Sequence, residues 1–400
     1  MRSRVDSPVA TTARLGRCSK LRPAFVITGL GMGGAESVLL RLLESSPWRS
    51  DSVVISLGRD GVLAPKFRDL GVPVHELGMN AVLPNPFAVA SVARILKAHG
   101  ADVVSTWMYH ADLVGGIAAR LAGLPVIWGI RNSTLSRTDS AWTTRAIARL
   151  NGILSRWLPA VIVSCSERAR DVHIELGYVR DKFTIIHNGI DIRRFQPDAH
   201  ARAAVRGELN LSGENRLIGL IARFDPQKNH RGFIAAVRNL LERWPQLHVV
   251  MAGAGITSDN KVLCAWIAEA GIADRVHLLG ARWDINRVMA ALDCSVLPSF
   301  GEAFPSVLAE SMACGVPCVT TDVGDAAAIV GTSGIVVPIG DMTALVKGID
   351  ELLEEDAETQ RRRATLARAR VAEMFDISTM AAAFEQLLRD TSAKYSRIRE

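Results

Sequence analysis

The strongest constraint on the fold is a rhythm. Short, apolar, β-rich runs bounded by Gly, Pro or Asp alternate with helical stretches along nearly the whole chain. Such runs occupy 24–28, 52–57, 103–106, 125–129, 160–164 and 183–187. A second series occupies 217–222, 247–252, 276–279, 294–298, 317–321 and 334–337. Continuous rather than alternating hydrophobicity marks strands covered on both faces. Strands of that kind separated by helices form right-handed βαβ units and parallel sheets. Two series of six strands therefore predict an α/β protein with two doubly wound, Rossmann-like domains. The break falls near 187–197, where Asn188-Gly189 is a turn pair and Arg193-Arg194-Phe195-Gln196-Pro197 an irregular exit. The reading divides the chain into a loose tail at 1–20, a first domain at 21–187 and a second at 188–377. A last helix, about 378–398, is expected to pack back on the first domain.

Composition narrows the class. Of 400 residues, 48% are hydrophobic and 22% charged, which excludes a disordered, collagen-like or disulfide-rich chain. The longest apolar stretch, 103–130, is interrupted by His110, Asp112 and Arg120, so no transmembrane helix is expected. The first 20 residues lack the apolar core of a secretory signal. Six scattered cysteines without a CxxC pair suit a reduced cytoplasm, and Cys314 and Cys318 lack the further ligands a metal would need. Charge is lopsided: residues 1–190 carry 23 Lys/Arg against 14 Asp/Glu, the remainder 24 against 27. A basic first half fits an acidic partner (a phosphate, an anionic membrane or nucleic acid) or serves solubility alone.

Polar residues cluster just past predicted strand ends, where α/β folds bind ligands. After the first strand, Gly29, Gly31 and Gly34 match G-x-G-x-x-G, with Gly33 between them. The spacing suits backbone contact with a phosphate at a helix N-terminus, a dinucleotide, or simply a tight turn. A dinucleotide site would want an acid closing the second strand, and Asp60 comes late. Tyr109, His110 and Asp112 follow the 103–106 strand, with Asp112 alternatively a helix cap; Arg131 and Asn132 follow the next. In the second half, Arg223 and Lys228 flank a turn. A bidentate guanidinium and a point-charge ammonium together suit a diphosphate, the bland alternative being a solvated loop. Glu302 lies in a loop before Phe304, Pro305, Ser306 and Val307, with Pro305 set as the first residue of a helix whose free N–H groups form an anion site. Glu310 lies roughly 7–8 Å further along that helix. Two carboxylates beside an anion site are costly unless they hold hydroxyls. Finally, Arg145, Arg149 and Arg156 share one face of a helix at 142–158, suited to anionic lipid or to solvent. Trp142, Ile147, Leu150, Leu154, Trp157 and Leu158 are assigned to the opposite, packed face.

In order along about 22–395, these elements resemble the family 4 retaining glycosyltransferases of the GT-B fold, two Rossmann-like domains facing across a cleft, and especially bacterial enzymes of surface-polysaccharide synthesis. The resemblance rests on Gly33-Gly34-Ala35-Glu36, the segment from Trp107 to Leu113, Arg223 with Lys228, the pair Glu302/Glu310, Asn188-Gly189-Ile190-Asp191 and Thr321-Asp322-Val323-Gly324-Asp325. Asn229 before His230 departs from the acidic residue often found there. The resemblance implies a catalytic set of His110, Glu302, Arg223 and Lys228. Donor contacts come from Gly33, Gly34, Phe304, Pro305, Ser306, Val307 and Glu310, the last on the ribose. Tyr109, Asp112, Arg131 and Asn132 fall on the acceptor side. It implies a nucleoside-diphosphate sugar donor (UDP favoured), a saccharide acceptor, no metal or other cofactor and no nucleic acid; the basic first half adds a lipid-linked saccharide acceptor and peripheral contact with anionic membrane, and the cysteines a cytoplasmic enzyme. A nucleotide-sugar epimerase on the same fold and an NAD-dependent dehydrogenase are the alternatives.

Overall fold

The computed structural model describes residues 20–59, 61–79, 85–135 and 141–399. Among the described residues, two parallel sheets account for all thirteen strands. The first contains β1 (Pro23–Ile27), β2 (Val53–Ser56), β3 (Val74–Glu76), β4 (Val103–Trp107), β5 (Val126–Ile130), β6 (Val161–Ser164) and β7 (Phe183–Ile185), in the order β3-β2-β1-β4-β5-β6-β7. The second contains β8 (Arg216–Ile221), β9 (Leu247–Ala252), β10 (Val276–Leu278), β11 (Cys294–Leu297), β12 (Cys318–Thr321) and β13 (Ile335–Val337), in the order β10-β9-β8-β11-β12-β13. The central strands are buried at every residue in β1, β2, β4, β5, β11 and β12, as continuous apolar runs require when helices cover both faces.

The first sheet has one strand more than the sequence pattern predicts. β3 is short, carries His75 and Glu76, and is only partly buried. A polar edge strand has no apolar run to announce it.

Each sheet has one switch point, where the winding reverses: β1 beside β4 in the first, β8 beside β11 in the second. Ligands in such folds bind outside the carboxyl ends of the strands flanking that point. The loops after β1 and β4 face those after β8 and β11 across one cleft.

The last helix, Ile377–Arg399, belongs to the first sheet's core. Ile377, Met380, Ala381, Phe384 and Leu388 pack into the cluster that holds Phe25, Trp107 and Leu39. Phe384 stacks on Trp107 with ring centroids 5.9 Å apart. Before it, Ile190 and Asp376 form an isolated parallel bridge where the chain crosses out of and back into the first domain.

The helix predicted at 142–158 spans Trp142–Leu154; Ile147, Leu154 and Leu158 pack inward and Arg149 and Arg156 face out as expected, but Trp142, Leu150 and Trp157, expected to be packed, are exposed. Ile147, Ala148, Asn151 and Gly152 face inward, while Trp142, Leu150, Ile153 and Trp157 are 69, 42, 62 and 60% exposed. The inward side makes close contacts. Asn151 Nδ2 donates to the Tyr109 carbonyl at 2.9 Å, and a Cβ on Gly152 would lie 2.7 Å from the Leu176 carbonyl oxygen. Small residues fill that close contact, and Trp142, Leu150, Ile153 and Trp157 turn outward beside Arg149 and Arg156. Among the described residues, no helix is long and apolar enough to cross a membrane.

Candidate active site in the interdomain cleft

The cleft encloses about 690 Å³. Of the residues singled out from sequence, Gly33, Gly34, Tyr109, His110, Arg131, Asn132, Arg223, Lys228, Glu302, Phe304, Pro305, Ser306 and Val307 line it. Asp112 and Glu310 do not.

On the first-domain wall, the loop after β1 leads into helix Gly34–Glu44 with Gly33 as its N-cap. The N-cap has no side-chain acceptor, so the first-turn N–H groups are left for a ligand. Glu36 folds back over this turn, and a Cβ on Gly33 would collide with its carboxylate. Burial raises the Glu36 pKa above the usual carboxylate value, opposed by its own backbone N–H and by Arg223 across the cleft. Glu36 is a cleft residue to which the sequence reading assigned no role, although it directly follows the two glycines. After β4, Met108 caps helix Tyr109–Ala122 with φ 74° and ψ 159°. A non-glycine residue holds that conformation only when its surroundings impose it, at about 1–3 kcal/mol. Here it delivers His110 to the cleft.

Beneath His110 lies a polar layer that faces the protein. Tyr109 bonds through its hydroxyl to His173 Nε2 at 2.9 Å. Asp112 is completely buried. Its Oδ1 accepts from Thr106 Oγ1 at 2.5 Å and from the Gly129 N–H at 3.3 Å. Asp112 therefore neither caps the helix nor reaches an acceptor. It ties β4 to β5 from below. Burial pushes its carboxyl up to about 8, against the Thr106 and Gly129 hydrogen bonds and the positive charge of Arg131. Arg131 lies over the Trp107 ring at 4.0 Å and donates to Asn188 Oδ1 at 2.9 Å. Asn188 in turn reaches Ser306 Oγ at 3.4 Å, linking the first domain, the crossover segment and the second-domain helix.

On the second-domain wall, Arg223 is half exposed and held by Asp225 at 2.8 Å. Lys228 and Glu302 form an ion pair at 2.5 Å, with both side chains 13% exposed. Ser299 Oγ donates to the same Glu302 oxygen at 2.9 Å. Helix Ser306–Ala313 begins one residue later than predicted, with Pro305 at the N-cap rather than the first helical position. Its first N–H groups open on the cleft beside Phe304 and Ser306. The loop after β12 props this wall from behind. Gly324, at φ 54°, lies so close to the Glu302 and Ala303 carbonyls that no Cβ fits, and the Asp325 N–H donates to Ala303 at 3.0 Å.

The walls also touch. Ser133 Oγ donates to the Glu302 carbonyl, and a Cβ on Gly301 would approach Thr134 Oγ1 to 2.7 Å. Asp325 accepts from the Glu167 and Arg168 N–H groups at 2.9 and 3.1 Å, at the start of the first-domain helix Glu167–Glu175. Arg41 Nη1 and Glu310 Oε1 pair at 2.7 Å. These cross-cleft partners are far apart in sequence, and no local spacing reveals them. Asp60, the late acid of the dinucleotide alternative, lies outside the described residues.

Two helix N-termini, the cations Arg223 and Lys228, and the carboxylates of Glu36 and Glu302 meet in a cleft between two Rossmann-like domains, the arrangement of a GT-B glycosyltransferase. Comparison with known proteins agrees. Residues 32–194 match the family model described as Glycosyltransferase Family 4, and 201–370 match that of Glycosyl transferases group 1. The chain belongs to the family 4 glycosyltransferases. It is 27% identical to the glycosyltransferase EpsF of Bacillus subtilis over 76% of this chain and 80% of that one. It is 30% identical to a Mycobacterium tuberculosis glycogen synthase over 70% and 67%. With the Escherichia coli UDP-Gal:α-D-GlcNAc-diphosphoundecaprenol α-1,3-galactosyltransferase it shares 25% over 67% and 70%. Among solved structures, Anabaena HepE in complex with UDP superposes with a TM-score of 0.81 at 25% identity, over 92% of this chain and 100% of that one. The dehydrogenase and epimerase alternatives gain no support from these relatives.

Proposed function

We propose that the chain transfers a hexosyl group from a UDP-sugar to a lipid-linked saccharide acceptor during cell-surface polysaccharide assembly, with retention of anomeric configuration and without a bound metal. The observation that carries this reading is the convergence of Arg223, Lys228 and the N-terminus of helix Ser306–Ala313 on the cleft face opposite His110. A diphosphate leaving there meets two fixed cations and a helix dipole, which stabilise its growing charge without a divalent ion. Gly33 and Gly34 supply backbone N–H groups from the other wall. Glu302 stands by the donor sugar, and Glu310, one turn along helix Ser306–Ala313 just outside the lining, takes the ribose through the oxygen that Arg41 does not hold. The acceptor hydroxyl attacks on the face the diphosphate leaves, so configuration is kept and no carboxylate is needed as a covalent nucleophile. Closure of the domains excludes water from the donor.

The donor and acceptor classes draw on relatives. The E. coli relative is named for UDP-Gal and a diphosphoundecaprenol-linked sugar, and Anabaena HepE structures hold UDP or UDP-glucose. A cytoplasmic enzyme docked on anionic membrane is supported by helix Trp142–Leu154. Its exposed stripe of Trp142, Leu150 and Ile153, continued by Trp157 in the turn after it, is apolar and aromatic, with Arg149 and Arg156 beside it. Thr144 on the same helix lines the cleft, so a helix lying in the lipid interface would present the cleft mouth to a membrane-anchored acceptor.

A thermal-shift panel of UDP, GDP, ADP and NAD, with and without EDTA, tests the donor. A nucleotide at about 100 times its Kd stabilises by roughly 2.7 kcal/mol. UDP is expected to raise the melting temperature unaffected by EDTA. A shift with NAD alone, or one abolished by EDTA, refutes the reading. Flotation with vesicles containing anionic lipid tests docking. Binding should fall for Ile153→Ser/Trp157→Ser and for Arg149→Glu/Arg156→Glu, and binding that survives both removes the membrane assignment.

A further inference from the structure

The Arg41–Glu310 pair lies outside the cleft lining yet joins the domains directly behind it. Arg41 sits about two turns along helix Gly34–Glu44 from the glycines, and Glu310 about one turn along helix Ser306–Ala313 from Ser306. The side chains are 12 and 16% exposed. On its own domain Arg41 has Glu44 one turn along the same helix, whose carboxyl feels its charge. Its Nε is buried without a hydrogen-bond partner. A guanidinium in such a place is costly unless an anion answers it. The carboxylate that pairs with it directly, Glu310, belongs to the other domain, so this ion pair joins the two walls across the cleft. Among the described residues, Arg41 takes Oε1 of Glu310, and Oε2 accepts no hydrogen bond.

We propose that Arg41 is a positioning residue for nucleotide recognition. From the first domain it holds Glu310 of the second by Oε1, leaving Oε2 for a ribose hydroxyl, so that ribose recognition is completed by domain closure. The proposal rests on the reading of Glu310 as the ribose ligand given above. It adds a first-domain residue to a subsite otherwise built by the second domain alone.

The test compares binding of UDP and 2′,3′-dideoxy-UDP to the full chain by titration calorimetry, in wild type, Arg41→Gln and Arg41→Lys. If another nucleoside diphosphate is the one that shifts the melting temperature, that nucleotide and its dideoxy form replace the pair. Hydroxyls bonded to a carboxylate contribute on the order of tenfold in affinity or more, and wild type should prefer the ribonucleotide by at least that factor. In Arg41→Gln the preference is expected to shrink several-fold. Arg41→Lys, which keeps the charge but loses the planar fork, should lie between and covers the case of a Gln variant that fails to fold. Equal weakening of both nucleotides, with the preference intact, makes Arg41 a mere interface residue and overturns the proposal. A wild-type chain that binds both nucleotides alike takes the ribose away from Glu310 and overturns the underlying reading as well.

Discussion

Replacing Lys228 with Met keeps the side-chain stem and removes only its charge. Lys228 Nζ lies 2.5 Å from Glu302 Oε1, with both groups 13% exposed. The substitution therefore acts twice. It withdraws a cation from the departing diphosphate, and it leaves Glu302, still bonded to Ser299, without its counter-ion. A unit charge ~4 Å from another at an effective dielectric constant of about 20 is worth ~4 kcal/mol. The leaving group gains only part of a charge in the transition state, which brings the loss to about 3 kcal/mol, on the order of a hundredfold in kcat. The uncompensated Glu302 carboxylate then repels the donor diphosphate and weakens its binding. Adding Glu302→Gln to Lys228→Met should restore donor affinity while leaving turnover low, because the missing cation is not replaced. Donor affinity is read by calorimetry, and turnover by nucleotide release at saturating donor. Turnover of Lys228→Met within about threefold of wild type would refute the assignment of Lys228 to the leaving group. A double variant that binds donor no better than the single one would refute the charge argument for Glu302.

Further outcomes follow from the same geometry. Arg223→Ala should lower kcat by on the order of tenfold, less than Lys228→Met because Arg223 is half exposed, and an unchanged kcat would count against it. Asp112 holds a proton in the folded chain up to about pH 8 that the unfolded chain releases near pH 4. Its contribution to stability is full below about pH 4 and is lost as pH rises toward 8, by at most about 1.4 kcal/mol per pH unit. Asp112→Asn should flatten the fall in melting temperature between pH 5 and 8, and an identical slope in both proteins would dismiss the buried acid. Phe384→Ala removes a fully buried ring stacked on Trp107 and should cost about 3–5 kcal/mol. Chemical denaturation measures the cost, and a loss under about 1 kcal/mol would mean the last helix is not part of the first-domain core.

Much of the architecture was legible because the signals were local. Twelve of the thirteen strands announce themselves as apolar runs, and β3 does not, since a half-exposed edge strand such as Val74–Glu76 needs no apolar run. The glycines after β1, Arg223 and Lys228 after β8, and Glu302 after β11 were legible for a related reason. A parallel sheet puts strand ends and ligand loops at fixed places in the sequence, so polar residues there stand out against the apolar runs before them. Asp112 carried the same signal and deceived: one helical turn past the strand end, its side chain points under the site rather than into it.

What the sequence by itself determined is the chemistry at the strand ends and the α/β winding that presents it, because both follow from periodicities spanning a few residues. What only the tertiary structure decided is which charges answer one another and which faces meet water. Arg41 and Glu310 are 269 positions apart, and only domain closure pairs them. The exposed stripe of helix Trp142–Leu154 faces outward, while the small residues Asn151 and Gly152 fill the close contact on its inward side. Steric fit between elements made that choice, and amphipathic periodicity alone, which reports two faces, does not say which of them is buried.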